Sequence, residues 1–136
     1  MKEGAASSIP VQISKSVGFD ATESLDGHFV LFANPPDPGI WSVPREGGPE
    51  KRIWNGPGPN LWSNWTLAGT GLYLCVRAKQ GPEIEFVNLQ THRISHIAKL
   101  DKPSFYGLSL SPDGSSLAYS QQDRNDHGIL LMKDFR

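Results

Sequence analysis

His92 and His96 stand four residues apart, the spacing that would set two imidazoles on one helix face around a zinc ion. On a strand the same pair shares a face but lies roughly 13 Å apart, too far for one metal, and no glutamate adjoins either. Asp123, Asn125 and Asp126 cluster oxygen ligands before Gly128 as a calcium loop does, yet no bidentate glutamate follows. Ser109, within Gly107-Leu-Ser-Leu-Ser111, approaches the Gly-x-Ser-x-Gly nucleophile signature but lacks its last glycine. Trp54, Trp62 and Trp65, with Pro57 and Pro59, form an aromatic stretch suited to a recognition surface. Large aromatics also fill wedge-shaped gaps between packed elements, which is the structural reading of the same residues. The expectation is no catalytic residue, no metal and no cofactor, and so no enzyme.

Which side chains meet depends on the elements that carry them. Ser24-Leu-Asp-Gly27, Ala68-Gly-Thr-Gly71 and Ser111-Pro-Asp-Gly114 recur with their final glycines 44 and 43 residues apart. Apolar runs follow each turn in step: Phe29–Phe32, Tyr73–Val76 and Ser116–Tyr119, then Ile40–Val43, Ile84–Val87 and Ile129–Met132. A period of about 43 residues with several short strands per unit is that of a β-propeller blade. Each unit reads as strands a, b, c and d, with c–d turns at Glu46–Gly48 and Gln90–His92 and d strands near 51–54 and 93–97. The third copy runs only through strand c, while Val11-Gln-Ile-Ser14 has strand character ahead of the first repeat. This predicts an all-β chain of three four-stranded antiparallel blades over 11–136, behind a flexible segment 1–10. The repeats span about 19–58, 62–100 and 105–136, with 11–14 as a clasp strand. Asp26, His28 and Asp113 then sit in turns at a channel mouth, and with Trp54, Trp62 and Trp65 they make the candidate binding surface.

Ser111-Pro-Asp-Gly114 followed by Leu117-Ala-Tyr-Ser120 resembles the WD-like repeats of TolB-type propellers. Gly39–Pro44 with Gly47-Gly48, and Ile84–Leu89 with Thr91-His-Arg93, are similar to them as well. The middle repeat lacks the Pro-Asp pair, and the Trp-Asp dipeptide of WD repeats is absent. The resemblance implies the blade rather than a role, since related blades serve periplasmic scaffolds, sensor domains and peptidase-associated domains.

Propellers close with four to eight blades, so an arc of three leaves two apolar faces open. A two-fold homodimer would close a six-bladed ring, with Val11 and Ile13 of each chain clasping the third blade of the other. The expected function is a non-catalytic binding or scaffold module for a protein or small ligand, and for self-assembly. The alternatives are a sensor or gating portion of a larger transcriptional regulator or peptidase, and a glycan-binding propeller.

Net charge is −1 with no Lys/Arg run, which argues against nucleic-acid or anionic-membrane partners. No apolar stretch approaches the ~20 residues of a membrane span, and 1–10 lacks a signal-peptide core. As written the chain is expected in the cytoplasm, or in the periplasm if it belongs to an exported protein. The single Cys75, inside an apolar run, reads as a small buried hydrophobe.

Overall fold

A computed structural model of the chain describes residues 9–34, 39–56, 59, 63–123 and 126–135. Eleven strands occur among them: β1 (Phe19–Glu23), β2 (Phe29–Ala33), β3 (Ile40–Pro44), β4 (Lys51–Trp54), β5 (Trp65–Ala68), β6 (Gly71–Ala78), β7 (Gly81–Asn88), β8 (Ile94–Lys99), β9 (Ser104–Leu110), β10 (Ser116–Asp123) and β11 (Asp126–Lys133). They form three antiparallel sheets in chain order, β1–β4, β5–β8 and the three-stranded β9–β11. No helix among the described residues is long and apolar enough to cross a membrane.

Turn chemistry places the first two strands of each sheet. In the first turn Ser24 Oγ donates to Asp26 Oδ1 at 2.6 Å, which also accepts the His28 amide, while Phe29 N donates to Ser24 Oγ. Ser111 and Asp113 repeat this network with the amides of Ser115 and Ser116. Gly27 and Gly114 share φ +73°, a conformation that favours glycine, which explains the recurring Asp-Gly.

The middle turn corrects the sequence alignment. Its left-handed glycine is Gly69, at φ +43°, and Gly71 is instead the first residue of β6. A Cβ on Gly71 would overlap the Val87 carbonyl oxygen, so this glycine serves close strand approach.

The Asp113 network has a pH signature. Hydrogen bonds from Ser111 and Ser115 hold its carboxyl down at about 2, against an ordinary 3.8. A depressed carboxylate stabilises the fold above its unfolded value and loses that contribution as pH falls through the folded value. Asp113→Asn should therefore melt below the wild type above pH ~4, with the gap closing toward pH ~2. Melts across that window check this, and a gap that widens in acid would contradict the turn assignment.

Alternating strand residues make two cores. Leu31, Ala33, Ile40 and Trp54 of the first sheet pack on Trp65, Leu72, Leu74, Val76 and Val87 of the second. Cys75 and Ile84, on the other face of the second sheet, pack on Leu100, Leu108 and Leu117. The middle sheet is thus apolar on both sides, as an internal propeller blade must be. A polar link joins the second and third sheets: Asn64, 1% exposed, donates to Ser104 Oγ and accepts the Gly107 amide at 2.9 Å. Burial pushes the Cys75 thiol up, in line with an unreactive core position.

Residues 9–18 form no strand, and Ile9 and Val11 are 80% and 79% exposed. Val11 and Ile13 therefore have no sheet partner among the described residues. Glu50, just before the outer strand β4, anchors this segment by accepting the amides of Lys15 and Ser16 and the Ser16 hydroxyl. From there the chain passes Gly18, packed on Phe32, to enter β1. The segment 1–8 lies outside the described residues.

Candidate functional site

The turn between β1 and β2 rims a hollow of about 420 Å³ between the first two sheets. Leu25, Asp26, Phe29, Ile53, Leu67 and Leu89 line it, with Leu25 71% and Phe29 42% exposed. Asp26 lies at this rim, its carboxyl held down by Ser24 and the His28 amide. His28 is exposed beside it. Asp113 sits in the equivalent turn of the third sheet, in the same kind of serine network.

The tryptophans require correction. Trp54 and Trp65 are 6% and 3% exposed and belong to the core between the first and second sheets. They are wedge residues rather than surface, because the strands carrying them turn those positions toward a neighbouring sheet. Trp62 lies outside the described residues. Two tryptophan donors, Trp41 Nε1 and Trp65 Nε1, are buried without a protein acceptor. Trp65 borders a hollow of about 360 Å³ with Asp20, Glu23 and Thr66, where a ligand oxygen could accept its hydrogen bond.

The histidines also separate. His92 occupies the β7–β8 turn at φ +58°, edge-on to the Trp54 ring at 6.2 Å. His96 lies on β8 opposite Glu85 of β7. Its Nδ1 is 3.3 Å from Glu83 Oε1 and 3.5 Å from Glu85 Oε1. The two carboxylate side chains are only 13% and 10% exposed, whereas the imidazole is 73% exposed. Burial pushes the Glu85 carboxyl up, the hydrogen bond and charge of Glu83 push it further, and His96 opposes them.

This trio was not recognised from the sequence, although a signal existed. A hairpin turning at Gln90–His92 sets residue 96 across from residue 85, and Glu83-x-Glu85 then shares one strand face with it. Of the calcium-like cluster, Asp123 ends β10, pairs in the ladder with Asp126 and makes an ion pair with Lys102 at 2.7 Å. Asn125 lies outside the described residues. Ser109 is a β9 residue paired with Ala118, in a strand and not on a strand-to-helix elbow.

No family model matches the chain, and no curated protein does. Among solved structures, TolB from Acinetobacter baumannii matches at TM-score 0.66 and 21% identity. The match covers 89% of this chain and 31% of that one. The fold is TolB-like, a β-propeller arc. A protein described as TolB from Agrobacterium tumefaciens matches at TM-score 0.65 and 18% identity, over 84% of this chain and 42% of that one. The tricorn protease matches at TM-score 0.52 and 16% identity, over 83% and 12%. The chain thus spans roughly a third of the TolB chains it resembles.

Proposed function

We propose that this TolB-like arc is a non-catalytic binding module that completes its propeller with a second copy of itself. The incomplete third sheet carries the reading. Its outermost strand, β11, has a partner on one side only, and its open face bears Ile129 and Leu131 at 86% and 59% exposure. An apolar face beside an unpaired edge favours addition of another strand.

The N-terminal segment supplies a suitable one. Glu50 tethers Lys15 and Ser16 beside the outer strand of the first sheet. Val11–Ser14 ahead of them takes part in no strand of its own chain, which favours its pairing with another copy. In a dimer, Val11 and Ile13 would pair with the β11 edge of the partner copy. The open face of that third sheet would then cover the first. The completed ring would present the Leu25–Phe29 hollow to a protein segment or small apolar ligand.

Sedimentation equilibrium tests this directly. The expected species has twice the chain mass, and Ile13→Lys or Leu131→Lys should each weaken association by about tenfold or more. A folded chain that stays monomeric at all accessible concentrations overturns the proposal.

The share of TolB covered favours a second reading, in which the chain is one section of a longer propeller. Such a section could belong to a sensor or gating domain of a regulator or peptidase. It would remain monomeric alone and would bind the flanking repeats in trans, which separates the two readings. A glycan-binding role has lost its basis in Trp54 and Trp65, which are buried.

A further inference from the structure

Glu83, Glu85 and His96 converge across the β7–β8 ladder. Their ligand atoms, one from each side chain, lie within 4.8 Å of one another. Glu85 is 7% exposed as a residue, yet its partners are a second carboxylate and one imidazole. Lys99, opposite Glu83 in the sheet, directs its ammonium to Gln80 Oε1 at 2.7 Å instead. Among the described residues, two nearly buried acids thus share one ion-pair partner, which is an unfavourable balance without a proton or a cation between them.

The geometry points to a divalent transition-metal site of the zinc class, with Glu83, Glu85 and His96 as its three protein ligands. A tetrahedral ion holds oxygen and nitrogen at about 2.0–2.2 Å, which sets neighbouring ligand atoms about 3.3–3.5 Å apart. The His96 Nδ1 distances to Glu83 and Glu85, 3.3 and 3.5 Å, already have that length. Mixed carboxylate and imidazole donors suit zinc, cobalt or manganese better than calcium, which takes six to eight oxygens.

The backbone explains the convergence. The β7–β8 ladder slips between Ile84 and Glu85, so Glu85 faces His96 while Glu83 faces Lys99. Such an irregularity re-aims side chains, and here it leaves His96 within reach of both acids. On β6, the residues opposite the two acids are the buried Leu74 and Val76, which give the site a dry wall. On the other side Glu83 and His96 border an open hollow of about 520 Å³ that includes Gln80 and Lys99. A fourth position on the ion would therefore be open to water or to an incoming ligand.

Calorimetric titration of the purified chain with Zn²⁺ alone tests the site, with Co²⁺ absorption reporting tetrahedral geometry. One equivalent should bind to the wild type. His96→Ala, at a side chain 73% exposed, should weaken binding by about tenfold or more, as should Glu85→Gln. His92→Asn should leave it unchanged, since that residue lies outside the cluster. Circular dichroism of each metal-free variant verifies that it folds. Substoichiometric binding by the folded wild type, or equal losses in His92→Asn and His96→Ala, overturns the assignment. So would full affinity retained by a folded His96→Ala, which would leave the trio an imidazolium held between two acids.

Discussion

Leu117→Ala lowers the melting temperature by roughly 10 °C, the equivalent of about 3 kcal/mol for a chain of this size. Leu117 is fully buried at the centre of the third sheet, paired with Leu110 and Met132. It packs in the cluster of Cys75, Ile84, Leu100 and Leu108 that docks this sheet on the second. Truncation removes its methyl groups and leaves a cavity, and large-to-small changes at such sites cost about 2–5 kcal/mol. The third sheet has only three strands to hold the remainder in place, so little collapse can offset the loss. Leu117→Met conserves volume and should cost less than about 1.5 kcal/mol. Thermal melts at one fixed protein concentration measure both, because any self-association makes stability concentration-dependent. An alanine variant that melts within a degree of wild type would mean that the third sheet is not docked through this residue.

The second large effect is at Gly71. A methyl group there would overlap the Val87 carbonyl oxygen and crowd the Phe86 ring, so β6 and β7 must move apart. Those strands pair over eight residues, from Gly71 opposite Asn88 to Ala78 opposite Gly81, and carry the middle of both cores. Overpacking of this kind costs about 1–3 kcal/mol, and a clash with backbone belongs at the upper end. Gly69→Ala is the informative contrast. Its space is open but its φ is +43°, so it should cost only about 1 kcal/mol. Denaturant melts of the pair would show Gly71→Ala as the more damaging. The reverse order would return the turn glycine to position 71, as the simple repeat alignment had it.

The Ser-x-Asp-Gly turns are legible because serine, aspartate and glycine act on their own neighbouring backbone, and both turns form the same network. The order and position of the strands follow from the same local chemistry, and the third sheet ends after its third strand as expected. The middle turn misled because Gly69 and Gly71 are two residues apart and chemically identical. Only the approach of Val87 distinguishes them.

The candidate sites were less legible. Trp54 and Trp65 suit a binding surface or a core equally well by composition, and the sheet that covers them is a neighbour in space. His92 and His96 are close in sequence, yet the acids beside His96 lie across a ladder.

The repeat period, the turns and the alternation of strand residues were determined by the sequence itself, since each rests on interactions within a few residues. Tertiary structure decided which strand faces became core, and it brought Glu83, Glu85 and His96 together. Contacts between strands depend on register, and one irregularity in the β7–β8 ladder is enough to choose the partners of His96.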